Sequence, residues 1–165
     1  MLDIARTENK NAKIICSDFQ KEIPEINNIK FDLITAFRFF PNAEHRLRDN
    51  GMKYISSKLQ NDGILICNNH RNFWSIPYFM KRLFFLGGSE GMTNGQMIDL
   101  ANKNSLELLK TYSIGILPQG EKKSLIPWII VEKIETLIFK LTGKHHNIGY
   151  NVIFVFKKKN NNEYK

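Results

Sequence analysis

Residues 31–42 read FDLITAFRFFPN, and this stretch decides how the rest of the chain is interpreted. The apolar positions from Phe31 to Phe37 suit a strand that is buried on both faces, as the strands of a parallel sheet are. Arg38 then places a cation at the strand end, which is where open α/β sheets bind their ligands. The alternative is a buried strand that leaves the core through an amphipathic arginine, and this stretch alone leaves both interpretations open.

Strand and helix signals alternate along the chain. Strands are predicted at residues 13–16, 31–36, 64–69, 105–117 and 150–156. Helical spacing of apolar residues appears at 47–59, 73–86, 94–104 and 126–141, and Asn61-Asp62-Gly63 is a typical helix stop. This alternation predicts an α/β protein with a mostly parallel sheet.

The second half of the chain has two further features. The predicted helix at residues 73–86 is rich in aromatic residues and is either part of the core or the wall of an apolar acceptor pocket. The glycines between residues 87 and 95 follow a helix and not a strand, which excludes a dinucleotide-type loop. No linker divides the chain, so we expect one domain over residues 1–157 and a Lys/Asn-rich tail over residues 158–165.

Composition and charge exclude several classes of protein. The 165 residues carry a net charge of +8, but the lysines are scattered among many asparagines, and we expect no nucleic-acid binding. No apolar run approaches the roughly 20 residues of a membrane span, and the start of the chain does not resemble a signal peptide. The two cysteines, Cys16 and Cys67, are far apart and form neither a metal-binding nor a disulfide pattern. A reduced, cytoplasmic setting is therefore expected.

Four ordered motifs resemble a known family. They are MLDIAR at residues 1–6, IICSDF at 14–19, FDLITAFRFF at 31–40 and LQNDGILICNNH at 59–70. In this order and spacing they resemble the C-terminal two thirds of the class I methyltransferases that use S-adenosylmethionine, over roughly residues 1–156. The resemblance implies an incomplete Rossmann-like, doubly wound sheet that lacks its first two strands. It also implies an antiparallel strand at residues 150–156, between the strands at 64–69 and 105–117.

The resemblance implies a cofactor site as well. Asp18 and the backbone N–H of Phe19 would hold the adenine, which offers one donor and one acceptor. Thr35, Ala36 and Phe37 would line the floor near the sulfonium. The alternative for Asp18 is a turn residue whose side chain bonds the backbone of the loop.

The acceptor side follows from the same resemblance. Arg38 and Phe39 would stand at the lip of the acceptor pocket, with Asn69 and Tyr78 also contacting a small-molecule acceptor. His70 would act as the general base, or it is a strand-end residue with a hydrogen-bonding role only. Methyl transfer is a displacement at an activated carbon, so it needs no catalytic triad and no metal, and the sequence presents neither pattern.

Two parts that the family requires are not in this sequence. They are a glycine-rich turn after the first strand and an acidic residue that ends the second strand. The family's order places both before Met1, in roughly 50–70 residues that form two strand–helix units. We therefore expect this chain to be a truncated form that is inactive alone, binds S-adenosylmethionine only at millimolar concentration and self-associates through open sheet edges.

Two other functional classes remain. The first is a non-catalytic α/β binding module derived from a methyltransferase, which would not bind the cofactor even in a longer chain. The second is a different doubly wound enzyme, which would carry another cofactor motif upstream.

Overall fold

The computed structural model describes residues 7–8, 10–21, 23–70, 72–73, 75, 83, 91–115, 128–142 and 149–160. In chain order the regular elements are β1 (Phe31–Ala36), α1 (His45–Lys58), β2 (Leu59–Asn69), α2 (Asn94–Lys103), β3 (Leu106–Ile114), α3 (Trp128–Thr142) and β4 (Asn151–Lys158). Short 3-10 turns lie at Pro24–Ile26 and Phe40–Asn42.

The strands form one open sheet in the order β1-β2-β4-β3. β1 pairs with β2 in parallel, and β4 runs antiparallel to both β2 and β3. Three strands therefore point the same way, and the closing strand is reversed and inserted between two of them. This arrangement confirms the predicted fold class and the position of the C-terminal strand.

One predicted strand is wrong. Residues 13–18 have no regular secondary structure and pair with nothing in the described sheet. The apolar sequence of Ile14 and Ile15 has the composition of a strand, but a strand also needs a partner for its backbone N–H and C=O groups. None of the described strands supplies such a partner to residues 13–18.

The junction between α1 and β2 also differs from the expectation. α1 ends at Lys58, and Leu59 is already extended, with φ −72° and ψ 143°. Leu59 is fully buried and pairs with Phe31, whereas the next pair along the ladder is Leu33 with Ile64. The Asn61–Gly63 turn is therefore an irregularity inside β2, with Asp62 at φ 63°, and does not terminate the helix.

The core lies between one face of the sheet and the helices α1 and α2. Its fully buried members include Met52, Leu65, Cys67, Met97, Ala101, Leu106, Phe154 and Phe156. α2 begins with a capping box, in which the Thr93 hydroxyl accepts from the Gln96 N–H and the Gln96 side chain accepts from the Thr93 N–H. The predicted buried stripe of α2 is confirmed at Met97 and Ala101, and Ile98 is half-buried.

The opposite face of the sheet is more open. Leu33 of β1 is 54% exposed, and Tyr112 and Ile114 of β3 are 46% and 51% exposed. The predicted apolar face of α3 is exposed too, at Ile130, Ile134 and Leu137. No helix among the described residues is both long and apolar enough to cross a membrane.

Several predictions fall on other parts of the chain. The aromatic helix at 73–86, the glycine-rich segment at 87–90 and the motif at residues 1–6 lie outside the described residues, except for isolated positions. At the C terminus, β4 extends through Lys158, and the Lys159 N–H donates to Ser105 O at 2.9 Å. The folded part therefore reaches at least two residues into the predicted tail.

Candidate functional site

The candidate site lies at the carboxyl edge of the parallel strands. β1 ends at Ala36 and β2 ends at Asn69, and because the two strands are parallel, the residues that follow them emerge on the same edge. β3 points the same way and ends there at Ile114. The predicted site residues Phe37, Arg38, Phe39 and His70 are all positioned by these strand ends.

Arg38 has an unusual backbone at this edge. Its φ is 59°, in the left-handed region that residues other than glycine seldom adopt. Two side chains hold the conformation: the Arg38 N–H donates to Asn68 Oδ1 at 2.7 Å, and Asn42 Nδ2 donates to Arg38 O at 2.6 Å. The chain is thereby turned sharply away from β1 directly after the strand.

Asn68 connects three strands at the site edge. It is 4% exposed on β2, it accepts from the backbone that follows β1, and its Nδ2 donates to Asn151 Oδ1 at the start of β4, at 2.8 Å. Each polar atom of its amide therefore has a partner in a different part of the sheet. Asn68 fixes the relative positions of the segments that end at this edge.

The segment predicted to hold adenine reaches the same edge through its aromatic side chain. The ring of Phe19 packs edge-on against that of Phe39, with centroids 5.5 Å apart, and lies 6.0 Å from the ring of Tyr54 on α1. Phe39 is the third residue after β1. The structure therefore brings Asp18 and Phe19 next to the end of β1, although 11 residues lie between Phe19 and Phe31, the first residue of β1.

Asp18 forms the turn that the alternative interpretation described. Its Oδ1 accepts from the Gln20 N–H at 3.0 Å, and its carbonyl accepts from the Lys21 N–H at 2.9 Å. The second carboxylate oxygen has no partner within the described chain, and the side chain is exposed. An Asx-turn and a contact to a ligand therefore use different oxygens and are compatible with each other.

The residues present fit the adenine end of the cofactor. An exposed carboxylate with one oxygen available stands next to a half-buried aromatic cluster. The hydroxyl of Tyr54, beside Phe19, is buried and has no hydrogen-bond partner in the described part of the chain. The ribose and methionine ends have no such match, because neither β1 nor β2 is followed by a glycine-rich turn.

The predicted floor residues have mixed exposure. Ala36 is half-buried and packs against the core, Thr35 is exposed on the opposite face of β1, and Phe37 is 53% exposed after the strand. Phe37 is therefore accessible to a ligand at the strand end.

The predicted acceptor residues are placed at different depths. Arg38 is exposed and Phe39 is half-buried. Asn69 is fully buried, and its Nδ2 donates to Met92 O at 2.6 Å and to Asn94 Oδ1 at 3.1 Å. As placed, Asn69 anchors the start of α2 beneath the edge and does not reach solvent. His70 is half-buried directly after β2, and Tyr78 lies outside the described residues.

Sequence reasoning missed the roles of Asn68 and Tyr54. The sequence places Asn68 beside Asn69 and His70 at a strand end on the expected substrate side, but its partners Arg38 and Asn151 are 30 and 83 residues away along the chain. Tyr54 matched the apolar spacing of α1, and the one signal of a further role is its polar hydroxyl at a core position.

The described residues of this site form neither a metal-binding cluster nor an exposed thiol on β2. Within the described ranges no group of three His, Cys, Asp or Glu side chains is arranged to hold a metal ion. Cys67 is fully buried on β2 with its Sγ 4.0 Å from Met97 Sδ, and burial raises the pKa of its thiol far above its ordinary value. Cys67 is therefore a core residue.

Solved structures with a similar fold are methyltransferases. An S-adenosylmethionine-dependent methyltransferase from Archaeoglobus fulgidus matches with a TM-score of 0.58 and 11% identity, covering 94% of this chain and 72% of its own. A TehB-like enzyme from Corynebacterium glutamicum matches with a TM-score of 0.54 and 17% identity, covering 95% and 62%. The magnesium protoporphyrin IX methyltransferase of Synechocystis PCC 6803, solved with bound S-adenosylhomocysteine, matches with a TM-score of 0.55 and 8% identity, covering 96% and 57%.

The chain has the class I methyltransferase fold. It spans only part of the length of these three enzymes, from 57% to 72%. No family model matches the sequence, and no curated protein matches it either. In the methyltransferase fold the carboxyl edge described above is where the ligands of an open α/β sheet are expected.

Proposed function

We propose that this domain serves transfer of a methyl group from S-adenosylmethionine to a small-molecule acceptor. The observation that carries the proposal is the Phe19–Phe39 ring contact, with centroids 5.5 Å apart, on a sheet with the methyltransferase fold. That contact brings the exposed carboxylate of Asp18 to the end of β1. Without it the Asp18 turn would be an irregular segment with no relation to the strand edge.

Each residue then has a defined role in the proposal. Asp18 accepts from the exocyclic amine of adenine, and the Phe19 N–H donates to a ring nitrogen. Ala36 and Phe37, with Thr35 beside them, form the floor under the reacting carbon. The cofactor supplies an already activated methyl group, so the task of the protein is to align the acceptor and to exclude water.

The acceptor side is assigned to Arg38 and Phe39, with Tyr78 as a further contact. His70 is proposed as the general base, since it follows β2 on the same edge and an ordinary histidine titrates near neutral pH. Asn69 is given a supporting role beneath the site, because its amide hydrogens are used inside the protein.

The proposal further holds that the ribose and methionine of the cofactor are bound by a glycine-rich strand and turn outside these 165 residues. The free edge of β1 supports this view, because β1 pairs only with β2 in the described sheet. On this view the 165-residue chain alone is inactive and binds the cofactor weakly. The lack of a cysteine pair is the basis for a reduced, cytoplasmic setting.

The second candidate function is a non-catalytic binding module derived from a methyltransferase. The observation in its favour is the Asp18–Gln20 hydrogen bond of 3.0 Å, which gives Asp18 a structural role that needs no ligand. In that case the protein would not bind the cofactor, even in a longer chain.

Calorimetric titration with S-adenosylhomocysteine distinguishes the two. The protein is measured as the 165-residue chain and as a version extended by the residues that precede Met1 in its reading frame. In the version that binds, Asp18→Ala should weaken binding by about 1.5–3 kcal/mol, or tenfold or more, because one charge-assisted hydrogen bond is lost. Asp49→Ala, which removes an exposed carboxylate from α1, is the control and should leave the affinity unchanged. No binding by either version would favour the binding module, whereas equal affinities for the two variants would leave Asp18 with its role in the turn only.

A further inference from the structure

Arg38 is held in its left-handed conformation by more than local sequence. Residues other than glycine that adopt a positive φ are uncommon, and they persist where the surrounding structure enforces them, often at binding sites. Here the Arg38 N–H and C=O each bond a side chain, Asn68 and Asn42, at 2.7 and 2.6 Å. The backbone of Arg38 is therefore fixed before any ligand arrives.

The guanidinium of Arg38 is available for an external partner. The residue is exposed, and within the described ranges its side chain forms neither an ion pair nor a hydrogen bond. Arg48 offers a contrast: it is 8% exposed, and its Nε donates to Phe40 O at 2.8 Å, so its charge serves the fold. Arg38 therefore combines a fixed backbone at a strand end with a guanidinium that has no partner in the described ranges, and this combination suits the binding of a ligand.

The surroundings of Arg38 indicate what kind of group it binds. Phe37 on one side is 53% exposed, and Phe39 on the other is half-buried in the aromatic cluster with Phe19. A guanidinium matches the geometry of a carboxylate or phosphate through two parallel N–H donors, and an exposed ring offers an apolar surface beside it.

We propose that Arg38 binds an oxyanion of the methyl acceptor, so that the acceptor is a small molecule with an apolar or aromatic body and a carboxylate or phosphate group. The identity of the ligand as the methyl acceptor rests on the proposed function, whereas the binding of an oxyanion rests on the geometry of Arg38. Asn68 acts as the positioning residue, since its Oδ1 holds the Arg38 N–H and its Nδ2 ties the same point to β4.

Saturation-transfer NMR on the 165-residue chain tests the proposal, because it observes the signals of the ligand and needs no assignment of the protein signals. The probes are benzoate, phenyl phosphate and, as a neutral analogue, benzamide. We expect the two anions to bind at least about fivefold more tightly than benzamide, and Arg38→Gln to weaken anion binding about tenfold. Arg38→Lys, which keeps the charge but not the paired donors, should fall between the wild type and Arg38→Gln. A preference between the two anions identifies the oxyanion as planar or tetrahedral.

Arg46→Gln is the matched control, since Arg46 is an exposed arginine on α1. Arg38→Asn is a second variant that removes the guanidinium and suits the left-handed backbone, so that a folding defect in Arg38→Gln does not decide the result. Equal binding of benzamide and benzoate, or an equal loss in Arg46→Gln, would overturn the inference. Titration of the extended version, described under the proposed function, with S-adenosylhomocysteine reads the cofactor site separately. Anion binding that depends on Arg38 supports the site even if that titration fails, and only the proposed function then falls.

Discussion

Phe39 links the two halves of the candidate site at the scale of single residues. Its ring contacts Phe19 on one side and Phe40 on another, with the Phe39–Phe40 centroids 5.0 Å apart. On a third side it lies directly over Gly51 of α1, where a Cβ atom would stand 2.6 Å from Phe39 Cε1 and 2.9 Å from Cζ. Glycine at position 51 has a lower helix propensity than alanine, but it allows the aromatic cluster to pack closely against α1.

We predict that Gly51→Ala destabilises the protein although alanine is the better helix former. The gain in helix propensity is roughly 1 kcal/mol, whereas overpacking against a ring that cannot move costs about 1–3 kcal/mol. Urea unfolding measures the difference, with Asn50→Ala on the exposed side of α1 as the control that gains propensity only. If Gly51→Ala proves as stabilising as Asn50→Ala, Phe39 is free to move and the cluster does not fix the site.

The two cysteines should differ sharply in reactivity. Cys16 is exposed, whereas Cys67 is fully buried and burial raises the pKa of its thiol from the ordinary 9.0. At pH 9 the Cys67 thiol of the unfolded chain is therefore half ionised, while the thiol of the folded protein keeps its proton. Ionisation in the unfolded state lowers the free energy of unfolding, so stability should fall as the pH rises above about 9. A thiol reagent should modify one cysteine in the native protein and two in denaturant. If both cysteines of the native protein react at the rate of Cys16, the core around β2 is accessible to the reagent.

The part of the candidate site that follows β1 could be predicted from the local sequence pattern. A strand that ends in Ala36, Phe37 and Arg38 can be predicted because the apolar run and the cation are adjacent in the chain. The role of Asn68 could not be predicted, because it consists of hydrogen bonds to residues 30 and 83 positions away. The buried amide of Asn69 was misplaced for the same reason: its partners Met92 and Asn94 belong to another element.

At the scale of elements, Lys158 joins the end of β4 to the end of α1. Its Nζ donates to Ser56 O at 2.8 Å and to Leu59 O at 2.9 Å, which are carbonyls at the C-terminal end of the helix. Desolvation, and then the charge of Lys30, lower the pKa of Lys158 and offset part of this gain.

We therefore expect Lys158→Met to lower the free energy of unfolding by about 1 kcal/mol, which is less than the roughly 1.5–3 kcal/mol of a hydrogen bond from a charged group because desolvation offsets part of the gain. Lys159→Met is the matched control, because Lys159 is exposed and contributes only its backbone N–H to Ser105 O. Thermal or urea unfolding of both variants gives the comparison. Equal stabilities for the two would mean that the Lys158 contacts are replaced by water at no cost.

Elements with strong internal patterns were predicted well, and those that depend on a neighbour were not. β1, α2 and β4 carry their periodicity in their own sequence, and each was found within a few residues of its predicted bounds. Residues 13–16 have the composition of a strand but no partner, and composition does not report a partner. The end of α1 was misjudged because burial of Leu59 against the sheet outweighs the helix-stop sequence that follows.

At the scale of the whole molecule, the sheet formed by the described strands has two edges, β1 and β3, that differ in charge. β3 carries the exposed residues Glu107 and Lys110, with the exposed Leu109 between them in the sequence. β1 carries Asp32 as its single charge, next to the exposed Leu33. Charged side chains protect edge strands from pairing with other molecules, so β1 is the edge at which self-association is expected.

Leu33→Lys should therefore shift the 165-residue chain toward the monomer without loss of stability, because Leu33 is 54% exposed. Leu109→Lys is the counterpart on the other edge, at 51% exposure, and should leave association unchanged. Sedimentation velocity over a range of concentrations measures both. A monomeric wild-type chain, or an equal effect of the two substitutions, would contradict the assignment of association to β1.

The hydrogen bond from the Tyr150 N–H to Gly115 O, at 2.6 Å, has a consequence for how this protein can change over evolution. It joins the two ends of the segment between β3 and β4. A Cβ atom at Gly149 would overlap the Ser113 hydroxyl, so the end of β3 and the start of β4 pack closely. Once the ends of such an excursion are pinned, its length adds only slowly to the entropy of closure. Residues 116–148 are in this sense an exchangeable module: they can be lengthened, shortened or replaced while the four strands keep their register. Since β3 ends at the edge that holds the candidate site, exchange of this module alone would change the side chains beside that site.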